Sequence, residues 1–314
     1  MNEKIALLVN NIENVIVGKR QVIIKLIAAL LAKGHVLIED VPGVGKTQLV
    51  AALSKSVSGK YNRVQFTPDV MPSDIMGFTM INPETKKMEY RSGSSFCNFF
   101  LADEINRASP KAQSSLLEIM EELQVSVDGV TRSLPVPFMT LATQNPVETY
   151  GTYHLPEAQM DRFIMKLSIG YPDRADEAAI LLRGTNGETG LMNAAALSPV
   201  LELSDIEALR EEAERIQTNN LIVDYIINLV SATRQTDMLM LGASPRGSIA
   251  LFRTAKALAL INGRKYVIPD DIRELAVSVL AHRLILSPKG KSTLGTSAAI
   301  INEIVRTVPL PGEF

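Results

Sequence analysis

Apolar residues recur at helical spacing near the start of the chain, at Ile5, Leu8, Val9 and Ile12 within residues 3–15. Val15-Ile16-Val17-Gly18-Lys19 interrupts the pattern, and a second helix rich in Ile, Leu and Ala is expected over roughly 20–33. Short continuous apolar runs then take over. Val36-Leu37-Ile38, Phe99-Phe100-Leu101-Ala102, Phe138–Thr143 and Ile164–Ile169 read as buried strands, and Arg63–Thr67 as a further one. Helices are expected from Gln48–Leu53 onward, after Ser109-Pro110 as cap and first residue, across Leu155–Phe163, and over 175–183. Leu116, Leu117, Met120 and Leu123 mark the buried face of the second of these. Pro68–Asp74 is turn-rich. Residues 77–91 form an exposed hairpin with few apolar positions, and 124–137 a second hairpin turned at Asp128-Gly129.

Strands alternating with helices predict an α/β core with a parallel sheet over residues 1–183. Gly184–Pro199 reads as a linker, taken to 203. From Leu203 the pattern is purely helical, with segments near 204–216, 221–235, 246–262 and 270–282. These predict a small all-α domain over 204–314, its first helix opened by a capping box at Ser204–Glu207.

The chemistry concentrates where the first apolar strand ends. Asp40-Val41-Pro42-Gly43-Val44-Gly45-Lys46-Thr47 joins that strand to the helix that begins at Gln48. Glycines let such a loop curl with its N–H groups inward, and the helix N-terminus adds partial positive charge, an arrangement that binds nucleotide phosphates. Lys46 is expected to reach the β- and γ-phosphates, and the Thr47 hydroxyl to ligate Mg²⁺. The pattern G-x-x-x-x-G-K-[ST] has glycine first, and this chain has Asp40 there, which predicts an altered backbone angle at the loop entry. Upstream, the Val17-Gly18 break lines an adenine pocket or is a packed turn between helices. Asp103 and Glu104 emerge at the end of the Phe99–Ala102 strand, where ligands bind in open α/β sheets. Asp103 suits Mg²⁺ and Glu104 suits polarising a water. Asn145 ends the next strand, placed to hold a water or the γ-phosphate. Arg162 closes a short helix, either as a comfortable C-terminal cation or as a finger reaching a neighbouring subunit's γ-phosphate. Arg246, in the first turn of a helix capped by Ser244-Pro245, opposes the helix dipole, so helix stability does not select it; it suits holding an ATP phosphate from the lid side.

Composition narrows the classes further. Of 314 residues, 46% are hydrophobic and 21% charged, a globular balance with ample core. The net charge of −2 offers no bulk basic field for nucleic acid. The single cysteine, Cys97, reads as a small buried hydrophobe and cannot build a disulfide framework. No apolar run approaches bilayer length, the start lacks a signal-peptide core, and the expected compartment is the cytoplasm.

With these residues assembled, the chain resembles the MoxR-type AAA+ ATPases of the helix-2-insert group over essentially its full length. The marks are Glu39–Thr47, Leu101–Arg107, Ala142–Pro146, Leu155–Phe163 and Gly242–Arg246. The resemblance implies a P-loop NTPase core of three layers followed by a small helical lid. It identifies Lys46 and Thr47 with Walker A, Asp103 and Glu104 with Walker B, Asn145 with sensor 1, Arg162 with the trans arginine finger and Arg246 with sensor 2. Arg107 is a second candidate for the trans arginine. The implied cofactors are ATP, contacted by Val17, Gly18, Pro42, Gly43, Val44, Gly45, Lys46, Thr47 and Gln48, and Mg²⁺, held by Thr47 and Asp103. It also implies a ring, usually a hexamer, and a chaperone-like role in maturing, activating or inserting metal into other proteins, often with a von Willebrand factor A partner. Two rivals stay open: a nucleic-acid motor, thinly supported by Arg132 and Lys86-Lys87, and a nucleotide-gated scaffold with little hydrolysis.

Overall fold

The computed structural model describes residues 1–146, 152–153, 155–185 and 194–312, the side chains of 182–185 excepted. Helix α1 (Glu3–Glu13) starts at Asn2, whose Oδ1 accepts from the Lys4 and Ile5 N–H groups, and it buries Ile5, Leu8, Val9 and Ile12. Helix α2 (Arg20–Leu31) is buried on nearly every side from Ile23 onward, as an all-round apolar helix must be. The core continues with β1 (Val36–Glu39), α3 (Lys46–Ser56) and β2 (Tyr61–Gln65). The stretch read as turns contains a short helix, α4 (Pro72–Met76), begun by Pro72 and by Asp74 accepting from the Met71 N–H at 2.9 Å. The first hairpin is β3 (Gly77–Ile81) with β4 (Met88–Ser92). Then come β5 (Phe99–Asp103), a 3₁₀ turn over Ile105–Arg107, and α5 (Pro110–Glu122), whose Ser109 hydroxyl accepts from Ala112 N–H as a cap. The second hairpin, β6 (Gln124–Val127) with β7 (Val130–Ser133), turns at Asp128 and Gly129 with both φ positive, as a two-residue hairpin loop requires. Strand β8 (Met139–Gln144), α6 (Glu157–Met160), β9 (Met165–Leu167) and α7 (Arg174–Thr185) complete this part.

The five-stranded sheet runs β2-β5-β8-β1-β9, with every neighbouring pair parallel. The central strands β5, β8 and β1 are buried on both faces, as parallel strands under helices are, while the edge strand β2 is partly exposed. Val36, Ile38, Phe99, Leu101, Met139 and Leu141 pack on the side of α1, α2 and α3. Leu37, Phe100, Ala102 and Ala142 point the other way, into a second cluster with Leu116, Leu117 and Met120 of α5. Cys97 is buried, and burial pushes its thiol up to about 12.

The C-terminal part comprises α8 (Leu203–Glu214), α9 (Asn220–Gln235), β10 (Leu239–Leu241), α10 (Pro245–Ile261), α11 (Pro269–Leu280), β11 (Ile285–Leu286), α12 (Pro288–Thr293) and α13 (Ser297–Thr307). It is not purely helical, because β10 and β11 form a small antiparallel ribbon too short for periodicity to reveal. The cap of α8 is also displaced from Ser204: the helix begins at Leu203, and Asp205 accepts from the Glu202 N–H at 3.0 Å. Of the expected linker, residues 186–193 lie outside the described residues.

Core and lid share one apolar interior. A single cluster runs from β1 through α2 into α8, α10 and α11. Polar ties follow it, with Asn2 N–H donating to Ile261 O at 2.9 Å and Arg210 Nε to Leu30 O at 2.9 Å. Helix α2 thus belongs to the packing of both parts. Among the described residues no helix is long and apolar enough to cross a membrane.

Candidate active site

All five strands of the sheet end at the same edge. There β1 leads into the phosphate loop, β5 into Glu104 and β8 into Asn145, with β8 inserted between the other two. Asn145 is 5% exposed at this edge, between the loop and the acidic pair.

The loop itself takes its shape from two glycines. Gly43 has φ +88° and Gly45 φ +91°, the left-handed region that disfavours any side chain. A Cβ at Gly43 would meet nothing within 4 Å, and one at Gly45 only Ile16 Cδ1 at 3.8 Å. Glycine is therefore required by the backbone, and the space a side chain would fill is left beside the loop. Gly45 is also the cap of the 11-residue helix α3, so that helix's unpaired first-turn N–H groups open onto the loop. Lys46 folds back, its Nζ donating to Asp40 O at 2.8 Å.

Asp40 enters the loop with a φ that is not left-handed. Its carboxylate turns away from the loop. Oδ2 accepts from Ser168 Oγ at 3.0 Å, Ile169 N–H at 2.6 Å and Gly170 N–H at 2.8 Å, while Oδ1 accepts from Val41 N–H at 3.0 Å. The residue is 7% exposed and ties the loop entry to the end of β9.

The proposed adenine side is brought up to the loop, since Ile16 lies against Gly45. Gly18 has φ +71°, and a Cβ there would collide with the Asp176 carboxylate of α7, so the Val17-Gly18 turn is closed against that helix. Gln48 faces the segment after α7, its Oε1 accepting from Ala194 N–H at 3.3 Å.

Both acidic side chains at the end of β5 are engaged by arginines. Asp103, 8% exposed, accepts from Thr143 Oγ1 at 2.5 Å and from Arg63 Nη2 at 2.6 Å and Nε at 3.1 Å. Glu104 sits at φ +55°, a conformation uncommon for a residue other than glycine, and its N–H donates to Thr143 Oγ1 at 2.9 Å. Its carboxylate pairs with Arg107 Nη1 at 3.0 Å. Arg107, the second candidate for a trans arginine, thus lies against its own chain's glutamate. Arg63 and Thr143 escaped the sequence reading. An arginine in an edge strand carries no signal until β2 is registered against β5, and Thr143 is hidden inside an apolar strand.

The residues present fit Mg²⁺. Among the described residues no group of three or more His, Cys, Asp or Glu side chains could hold a metal by itself. Mg²⁺ is usually held by one or two carboxylates together with substrate phosphates, and the Thr47 hydroxyl with the Asp103 carboxylate is a donor set of that kind.

Arg162 and Arg246 stand elsewhere. Arg162 precedes β9, whose first residues start beside β1, with Ile164 N–H donating to His35 O at 2.9 Å. Since β1 and β9 are parallel, Arg162 lies at the opposite edge from its own phosphate loop, roughly 15 Å of strand away. Arg246 joins it there. Glu121, near the end of α5, receives Arg246 Nη2 at 2.5 Å and Arg162 Nη2 at 3.2 Å. Tertiary packing thus puts Arg246, expected to hold an ATP phosphate from the lid side, beside Arg162 and away from its own chain's loop. The segment carrying Arg162 is gripped by the lid. Arg283 donates to Asp161 Oδ1, to Asp161 O at 2.7 Å and to Phe163 O at 2.6 Å. Ser244, the cap of α10, donates to Asp161 Oδ2 at 2.7 Å, and His282 Nε2 lies 3.0 Å from Phe163 O.

The two hairpins stand apart from these groups, joined by Arg132 stacking on Tyr90 at 3.8 Å. Arg132, one of the three cations considered for nucleic acid, is thus engaged within the chain.

Comparison with known proteins agrees with this geometry. Residues 35–165 match the ATPase family associated with various cellular activities (AAA), and residues 231–304 the AAA lid domain. The chain is 49% identical to the uncharacterized protein YeaC of Bacillus subtilis, over 96% of this chain and 93% of that one. It is 40% identical to the chaperone MoxR1 of Mycobacterium tuberculosis, over 96% of this chain and 80% of that one. A crystal structure of a candidate ATPase from Cytophaga hutchinsonii superposes with TM-score 0.89 at 38% identity, covering 98% of this chain and 94% of its own. A phosphate loop on a parallel sheet, an acidic pair on the next strand but one, a helical lid and these relatives together make the chain a member of the MoxR-type AAA+ ATPases.

Proposed function

We propose that this AAA+ ATPase hydrolyses ATP with Mg²⁺ in a ring, each active site closing between neighbouring subunits. Lys46 leaves the Asp40 carbonyl to hold the β- and γ-phosphates, and the N–H groups of the Gly43–Thr47 loop cradle them. Val17 and Gly18 border the base, with Pro42, Val44 and Gln48 around the nucleotide. Thr47 and Asp103 hold Mg²⁺, which supplies charge neutralisation on the phosphates. Glu104 turns from Arg107 to orient the attacking water and take its proton, and Asn145 fixes that water. Arg162 and Arg246 of the neighbouring subunit meet the charge that develops on the γ-phosphate.

The observation that carries this reading is the pair Arg162 and Arg246, held together on Glu121 at the sheet edge away from their own loop. Their distance from their own chain's loop supports a site completed by a second chain. By analogy with the relative named as a chaperone, the ring, a hexamer, works on other proteins by maturing, activating or inserting metal into them. A von Willebrand factor A domain protein is the partner we assign and the cytoplasm the compartment.

The test is specific ATPase activity with Mg²⁺ across a wide range of protein concentration, alongside mass measurement. Activity per subunit should rise and then saturate as the oligomer forms. Full activity from a species with the mass of one chain would overturn the shared site.

A further inference from the structure

Glu121 occupies a position that helix energetics do not favour. It is the penultimate residue of α5, and the last turn carries Glu118, Glu121 and Glu122 with no base among them. Acidic groups at a helix C-terminus oppose the dipole. What Glu121 gains instead is contact with two guanidiniums from two parts of the chain. Each carboxylate oxygen takes one: Oε2 faces Arg162 of the core at 3.2 Å, and Oε1 faces Arg246 of the lid at 2.5 Å.

The surroundings make that bridge matter. The three side chains border a cleft of about 410 Å³ between core and lid, also lined by Lys33, Arg253 and Arg283. Of the five cations there, Lys33 is paired with Glu214 at 2.6 Å; the carboxylates lining the cleft are Glu121 and Asp161, and Asp161 is already committed to Arg283 and Ser244. Those bonds fix the backbone around Arg162 and the cap of the helix bearing Arg246. They leave the direction of the two guanidiniums unset. Arg162 and Arg246 are like charges that repel and splay unless an anion sits between them, and each keeps further N–H donors after its bond to Glu121.

We propose that Glu121 is a positioning residue for the shared active site: it sets Arg162 and Arg246 at one spacing, ready to grip a single γ-phosphate of the neighbouring subunit. This rests on the reading of the two arginines as acting in trans. Glu121 itself touches no substrate, and its action passes wholly through the guanidiniums. Because it stands on the helix that follows Glu104 and precedes the second hairpin, it also ties their placement to the catalytic strand of its own subunit.

The test uses Glu121→Gln, which keeps the shape and removes the charge, together with Arg162→Ala and Lys46→Ala in the full chain. Alone, Glu121→Gln should assemble normally, bind ATP as the unaltered protein does, keep KM within about twofold and lose between about tenfold and a hundredfold in kcat. Mixing it with Lys46→Ala should regain activity, because the intact loop of one subunit then meets the intact arginine pair of the other. Random assembly makes about a quarter of the interfaces complete in this way. Arg162→Ala mixed with Lys46→Ala should regain a similar share. An unchanged kcat for Glu121→Gln overturns the proposal. So does an Arg162→Ala mixture that regains activity beside a Glu121→Gln mixture that does not, which would leave the trans arginine standing. If neither mixture regains activity, the trans reading falls and the role of Glu121 with it.

Discussion

Asp40 shows how one side chain can replace the freedom of a glycine. The loop entry at this position needs no left-handed backbone, so the residue is released for another task and its carboxylate gathers the end of β9. Asp40→Gly, which restores the strict phosphate-loop pattern, is therefore expected to destabilise the chain. It strands the N–H groups of Val41, Ile169 and Gly170 and the Ser168 hydroxyl, and a loss of about 2–3 kcal/mol in urea unfolding is the expected reading. An unchanged midpoint would show that these bonds contribute nothing net. Gly45, Lys46, Asp103 and Glu104 were legible one by one, because phosphate and metal chemistry restricts the residue types that serve. Arg63 and Thr143 were not, because their meaning lies in β2 and β8 flanking β5.

At the scale of elements, two neutral histidines pin strands and turns where a charged ring would be costly. Thr140 N–H donates to His35 Nδ1 at 2.9 Å, so Nε2 carries the proton and donates to Met120 O at 2.8 Å, joining β1, β8 and the end of α5. His282 Nε2 donates to Phe163 O at 3.0 Å. Burial, reinforced by Arg210, lowers His35 to about 4, and burial with Arg283 nearby lowers His282 to about 3. The unfolded chain takes up these protons as pH falls through about 6.5, whereas the folded chain resists until near the lowered values, so stability is full above the unfolded value and is lost on acidification. From pH 7 to pH 5 the pair should remove roughly 3–4 kcal/mol from the unfolding free energy. His35→Gln, which offers an acceptor and a donor in one amide, should abolish about half of that slope. A slope equal to that of the parent would remove His35 from the account. The elements themselves were mostly readable from periodicity. The misplaced cap at Ser204, the unexpected α4 and the β10–β11 ribbon are all short, where few residues carry the pattern and neighbouring packing decides.

For the whole molecule, the two groups of candidate residues lie on opposite edges of one sheet. The loop, Asp103, Glu104 and Asn145 face one way, and Arg162 with Arg246 the other. Arg162→Ala should leave ATP binding unchanged while lowering turnover by about 10³-fold or more, the range a trans arginine supplies. Equilibrium nucleotide binding beside steady-state ATPase separates the two, and near-normal turnover would take Arg162 out of the mechanism. With α2 packed into both core and lid, and Arg283 and Ser244 bonded to the Arg162 segment, the lid and that segment are held together by apolar packing and by hydrogen bonds.

The sequence alone determined the chemistry and the kind of fold. Runs of apolar strands between amphipathic helices admit few solutions, and Gly-Lys-Thr after one strand with Asp-Glu after another admits little besides a nucleotide site. Only the tertiary structure decided which groups share a place. Arg162 and Arg246 stand 84 residues apart in the chain and meet on Glu121 because α5, α10 and the start of β9 converge at the far edge of the sheet. No local pattern encodes that meeting, since it follows from how the lid packs on α2 and on the segment before β9.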